Sequence, residues 1–269
     1  MAPQWIIAYL ALGAFVGVLA GLLGIGGGGI IVPILTSIFA VQGVSPDQVV
    51  HLALGTAMAT IVVTASSSVR AHHKHRAILW PAMARLTPGV LVGTFCATYL
   101  ASHLSSRALG IFFAAFMGYV ALGMFKNLKP KPHRQLPGTA ACAGVGLVIG
   151  AISALVAIGG GALTTTFLLW CNASIRQAIA TAAAVGLPIA VAGTLGYLIN
   201  GLGAENLPPH CIGFINLPAM ALISATSFFT APLGAKLTHT LPVGALKKVF
   251  ALLLIGLSIK MLFTVFGAH

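Results

Sequence analysis

Ten apolar segments follow one another along the 269 residues, eight of them about 18–25 residues long and nearly free of charge. A helical stretch of that length crosses the roughly 30 Å of hydrocarbon in a bilayer. The segments fall at 5–24, 29–41, 51–69, 78–100 and 108–125 in the first half, and at 138–158, 161–172, 178–200, 214–237 and 245–266 in the second. Barrel strands would be shorter and alternate with period 2, a pattern the chain lacks. Composition agrees. With 58% hydrophobic and 6% charged residues, against roughly 25% charged in a soluble domain, the chain cannot cover a globule with a water-compatible surface. Soluble enzymes, nucleic-acid binders and disordered proteins are thereby excluded, and an all-α polytopic membrane protein is expected. The start, MAPQWIIAYLALG, lacks the basic n-region of a signal peptide and reads as a retained first membrane segment. Cys96, Cys142, Cys171 and Cys211 are scattered and form no CxxC, so they read as small buried hydrophobes rather than metal ligands.

Fourteen Lys and Arg stand against two acids, Asp47 and Glu205, for a net charge of +12. The bases cluster in short loops, as a topology signal does. Loop 70–76 carries Arg70, Lys74 and Arg76; linker 126–137 carries Lys126, Lys129, Lys131 and Arg134. Two spans separate them, so both lie on one side, taken as the cytoplasm. Counting outward adds Arg176, Lys236, Lys247 and Lys248 to that side and leaves only Arg107, with both acids, outside. Both termini are expected outside.

The halves repeat each other. Pro81-Ala82-Met83-Ala84 recurs as Pro218-Ala219-Met220-Ala221, Gly26-Gly27-Gly28 as Gly159-Gly160-Gly161, and Gln48 as Gln177. Five segments per copy is odd, so the second copy enters the membrane from the opposite face, and the charge count agrees. The expected organisation is a first repeat at 1–125, a basic linker at 126–137 and a second repeat at 138–269, the two having inverted topology. Glycine-interrupted short segments at matching positions of inverted repeats point to a transporter's binding site.

The glycine runs supply a physical reason. They break a helix at membrane depth, which is tolerated where the backbone is buried in protein or lines a cavity. Each following helix starts with free N–H groups and a positive dipole end that attracts anions. Glycine also lets an oxyanion approach the backbone, since no Cβ intervenes. The expected site is therefore Gly26, Gly27, Gly28 and Gly29 with Gly159, Gly160 and Gly161, joined by the hydroxyls of Thr164 and Thr165 in the second copy. Close helix packing is the competing reading of a glycine-rich span, and it is the one adopted for Gly146 and Gly150.

GLLGIGGGGIIVPIL and AIGGGALTTTF resemble the twin motifs of the TauE/SafE sulfite exporter family, and the similarity extends over essentially the whole chain. The resemblance implies a transporter of sulfite, of sulfonates such as sulfoacetate, or of related small sulfur-containing anions. The residues by themselves say only that the substrate is a small anion.

Arg85 lies about 10 Å into the fourth span by helix rise and aligns with Leu222, so it is a candidate ligand for an oxyanion. Snorkelling to the surface is the alternative, and it is the preferred reading for Lys260. Gln48, His51 and Gln177 could flank the short helices as polar gates; capping and interfacial solvation explain them equally well. His72-His73-Lys74-His75 reads as a solvated basic loop. No Asp or Glu lies in a span, so a carboxylate proton relay is not available. The resulting expectation is a multi-pass inner-membrane transporter, not an enzyme, exporting sulfite or an organosulfonate, with an anion channel or a permease for another small anion as the alternative. Its partners are the small anion and the bilayer, a homodimer being compatible; no cofactor, metal or nucleic acid is expected.

Overall fold

A computed structural model of the chain describes residues 3–23, 27–125, 135–204, 207–237 and 243–266. Each apolar segment forms a helix: α1 (Pro3–Leu23), α2 (Gly28–Val41), α3 (Val49–Lys74), α4 (Trp80–Ser102), α5 (Ser106–Phe125), α6 (Thr139–Val156), α7 (Gly161–Trp170), α8 (Ile175–Gly201), α9 (Leu217–Leu237) and α10 (Val243–Phe266). Seven of these are long and apolar enough to cross a membrane. Helix α4 has the length, but Arg85, Thr87, Pro88, Thr94 and Thr98 dilute its hydropathy. The short α2 and α7 are apolar yet below spanning length. Outward faces of α4, α9 and α10 present Val92, Tyr99, Phe229 and Phe263, an apolar surface that suits lipid and not water. Trp80 and Trp170 stand exposed at helix ends, where an amphipathic ring sits well at the interface.

Two loop expectations need correction. The basic stretch assigned to loop 70–76 is largely helix, since α3 runs through Lys74 before a turn at His75 and Arg76. His73, Lys74 and His75 are exposed as expected, but His72 is buried, because helical periodicity turns it back toward the core. The stretch before α9 is not plain loop either. Cys211–Ile212 (β1) pairs antiparallel with Ile215–Asn216 (β2), and the span begins at Leu217 rather than at 214. The hairpin buries Phe214 and Ile215. The amide of Asn216 donates to the Thr56 hydroxyl, and its side-chain carbonyl caps α9 by accepting from the amide of Ala219. Burial pushes the Cys211 thiol up from its ordinary pKa, with the Asn216 amide pulling the other way. Lys126, Lys129, Lys131, Arg134 and Glu205 lie outside the described residues.

Helix α1 packs on α9, α4 on α6, α3 on α8 and α5 on α10, while α3 also meets α9 and α4 meets α8. Glycines make the first two contacts close. A Cβ on Gly146 would overlap the carbonyl of Leu86, and one on Gly150 that of Val90. Gly13 and Gly17 lie in the same way against Ile223 and Ser227. In both pairs the residue numbers rise together, so the paired helices run parallel. Without a hydrophobic force to drive helices together in lipid, such close approach gains dispersion contacts that longer side chains would prevent. Helices α3 and α8 run antiparallel at the centre, with Gly193 against Met58 and Gly55 against Tyr197. Their middle turns are almost wholly buried.

Candidate functional site at the glycine breaks

Both glycine runs break the chain in the same conformation. Gly27, at the N-cap of α2, has φ 81° and ψ −12°; Gly160, at the N-cap of α7, has φ 74° and ψ −6°. This left-handed geometry strains any residue with a Cβ. Its effect is to turn the chain so that a new helix starts inside the protein. The carbonyl of Gly27 accepts from the amides of Ile30 and Ile31, and that of Gly160 from the amide of Thr164. The first amides of each helix have no carbonyl a turn behind them. Ala157, also left-handed at φ 49°, ends α6 just ahead of the second break.

The two breaks meet. Gly28 lies directly against the carbonyl of Ala157, so closely that a Cβ there would overlap it. Gly186 of α8 lies in the same manner against the carbonyl of Gly159. Beside this junction is a cavity of about 10 Å³, lined among the described residues by Ala20, Ile61, Thr64, Ala65, Ser68, Gly159, Ala183 and Gly186. That is room for about one water molecule. No charged side chain lines it among the described residues.

Its polar groups are hydroxyls, and most come from a stripe that the reading of the sequence passed over. Thr56, Thr60, Thr64 and Ser68 recur every four residues along α3, and all are buried. Spacing of four puts them on one helix face, and that periodicity within an apolar span was the available signal. Thr60 donates to the carbonyl of Thr56, and Thr64 to that of Thr60. The Thr64 hydroxyl also meets Ser227 Oγ at 2.7 Å, and Ser67 donates to the carbonyl of Phe228 at 2.7 Å. These two bonds join α3 to α9. Among the described residues the buried Ser68 hydroxyl has no hydrogen-bond partner, and neither do those of Thr164 and Thr165 beyond the second break. His72, one turn beyond Ser68, continues the stripe toward the end of α3.

A family model described as "Sulfite exporter TauE/SafE" matches residues 9–261. The chain belongs to the sulfite exporter TauE/SafE family. It is 37% identical over 259 residues to a "Probable membrane transporter protein" of Haemophilus influenzae, a match covering 96% of this chain and 98% of the relative. A "Probable membrane transporter protein" of Methanocaldococcus jannaschii is 26% identical over 237 residues, covering 86% and 85%. One of Bacillus subtilis is 24% identical over 249 residues, covering 88% and 91%. No solved structure matches the chain. This TauE/SafE member is therefore a membrane transporter and not an enzyme.

The remaining expected site residues of this TauE/SafE chain divide. Gly28 meets the Ala157 carbonyl at the junction and Gly159 lines the cavity, Gly27 lies against Val16 and Ala20 of α1, and Thr164 Oγ1 lies beside Gly160. Gly29 faces Met117 of α5 and Leu254 of α10, on the far side of α2. Gly161 opens α7, and Gly26 lies outside the described residues. All six expected polar residues are absent from the cavity lining: Thr164 and Thr165, and also Arg85, Gln177, Gln48 and His51. Arg85 Nη1 donates to the carbonyl of Pro137 at 3.2 Å, tying α4 to the segment that leads into α6. Gln177 completes a capping box with Ser174 at the exposed start of α8. Gln48 holds the N-cap position of α3. His51 is a buried anchor at the same end of α3, with Nε2 at 2.9 Å from the carbonyl of Ala101 and Nδ1 at 3.2 Å from Ser106 Oγ. Its ring also packs on Phe214 of the hairpin.

Proposed function

We propose that this transporter exports a small sulfur-containing anion, sulfite or an organosulfonate such as sulfoacetate, across the inner membrane. The carrying observation is the meeting of the two glycine breaks, Gly28 against the Ala157 carbonyl, beside a buried cavity whose polar groups are hydroxyls and backbone. Two helix N-termini entering one buried region favour negative charge there. The family's description supports sulfite as cargo. The breaks are the substrate site in this reading, with Gly27, Gly28, Gly159, Gly160 and Thr164 nearest the anion.

The fold in this reading is two inverted repeats, 1–125 and 138–269, joined by the linker. The pairing of elements supports it: α1 on α9 mirrors α6 on α4, while α3–α8 and α5–α10 each pair corresponding helices. So does the placement of glycines, since Gly13 and Gly17 in α1 correspond to Gly146 and Gly150 in α6 and make matching contacts. Exchange of exposure follows from one paired unit, α1 with α9 or α4 with α6, rocking against the central α3 and α8. Opening on the α9 side would break the Thr64–Ser227 bond. With no carboxylate in a span, the membrane potential is the simplest drive, expelling an anion from a negative interior at about 2.3 kcal/mol per charge per 100 mV.

The test is charge movement by proteoliposomes on a solid-supported membrane, challenged in turn with sulfite, sulfoacetate, sulfate and chloride. A saturable current for sulfite or a sulfonate is the expected result. Unitary currents without saturation would replace the carrier by a channel, and unimpaired transport with a bulky residue at Gly28 would remove the breaks from the pathway.

A further inference from the structure

Among the described residues, the cavity at the glycine breaks offers hydrogen-bond donors but no positive side chain. Thr64, Ser68 and backbone at Gly159 are its polar lining, with apolar Ala20, Ile61, Ala65 and Ala183 around them. The Thr64 hydroxyl is engaged with the Thr60 carbonyl and Ser227. Ser68 is 3% exposed, lines the cavity, and its hydroxyl has no partner among the described residues. A buried hydroxyl without a partner is costly unless something else takes its hydrogen bond. On the offset that aligns Gln48 with Gln177, Ser68 corresponds to Tyr197, whose ring is fully buried and whose hydroxyl donates to the carbonyl of Ala154 at 2.9 Å. A tyrosine whose hydroxyl is bonded thus stands in one half at the position where the other half has a serine hydroxyl that is unpartnered among the described residues.

We infer that Ser68 is a substrate ligand and that this neutral site takes singly charged small oxyanions in preference to doubly charged ones. The inference rests on the proposal that the breaks bind the transported anion. Its physical basis is the different scaling of two costs. Withdrawing an ion from water costs free energy as the square of its charge, about fourfold more for a dianion than for a monoanion of equal size. Attraction to neutral hydroxyl and amide donors rises only in proportion to charge. With no Arg or Lys among the described residues that line the cavity, nothing there closes that gap and the dianion stays in water. Sulfite would then travel in its singly protonated form. A longer organosulfonate would present one sulfonate group to the site, with any second charge held outside it.

The experiment compares methanesulfonate, which carries one charge, with sulfate, which carries two, in proteoliposomes of the full chain. The unaltered protein should move methanesulfonate at least about tenfold more efficiently than sulfate at equal concentration, a factor equivalent to 1.4 kcal/mol. Ser68→Ala should raise the half-saturating methanesulfonate concentration roughly 3- to 10-fold, the loss of one neutral hydrogen bond, without lowering thermal stability. Ser66→Ala, which removes a bond to the Val62 carbonyl on the same helix, should leave that concentration unchanged. Sulfate flux equal to or above methanesulfonate flux would overturn charge selection while leaving the transport reading intact. An unchanged half-saturating concentration in Ser68→Ala would remove Ser68 as a ligand. Absence of flux for methanesulfonate, sulfite and sulfate alike, in folded protein, would remove the transport reading and this inference with it. The flux ratio is measured on the unaltered chain, so it stands even if a variant fails to insert.

Discussion

Single atoms decide the centre of this molecule. Gly28 has a backbone carbonyl, that of Ala157, where a Cβ would go, and backbone cannot swing aside as a long side chain can. Gly28→Ala should therefore cost about 1–3 kcal/mol, as overpacking does. Gly160→Ala should cost about 1–2 kcal/mol for the left-handed backbone and more for crowding Ile189. Thermal unfolding in detergent measures both, and a Gly28→Ala protein as stable as the parent would contradict the contact between breaks. His51→Ala should lower stability by about 1–3 kcal/mol, because Ala101 and Ser106 lose a buried partner, yet leave the half-saturating substrate concentration unchanged. A shift in that concentration would return His51 to the pathway. The glycines were legible because a run of them inside an apolar span has few other uses. His51, Gln177 and Arg85 were ambiguous for a physical reason: a polar side chain near a helix end serves equally as ligand, cap or tether. Only the position of Pro137 and Ala101 in space separates these roles for Arg85 and His51, whereas Gln177 caps through the neighbouring Ser174.

At the scale of helices, segment length and apolarity were sufficient, and each expected segment became one helix. The ends were harder to read. Helix α3 carries its basic turn beyond the apolar stretch, because backbone hydrogen bonding continues where hydropathy stops. The hairpin before α9 has too few residues to show a strand period. Ser174→Ala removes one side of the capping box of α8 and should cost about 1 kcal/mol without altering transport selectivity. Gly146→Leu and Gly13→Leu place side chains where Leu86 and Ile223 lie. Both should separate their helix pairs and abolish transport, and equal loss in the two variants is what matching pairs require. Measured activity in either one would show that its helix contact is dispensable.

Across the whole molecule, charge distribution sets an orientation that labelling can check. With native cysteines replaced, single cysteines at Gly43 and Gly203 should react with an impermeant reagent from outside the cell, and one at His75 only from the cytoplasmic side. Reaction of all three from one face would contradict the inverted arrangement, whereas the membrane assignment itself stands on family and helices. The sequence by itself determined the solvent, the helices, their number and the breaks. Hydrocarbon accepts only segments that bond their own backbone and expose apolar side chains, and both properties are local. Which glycines touch, that Ser68 faces a cavity while the buried Tyr197 bonds the Ala154 carbonyl, and that His51 and Arg85 tie segments together were decided by tertiary structure alone. Those facts depend on contacts between residues far apart in the chain. In a protein built so largely of Ala, Gly, Leu and Val, many pairings satisfy the same apolar pattern until the helices are packed.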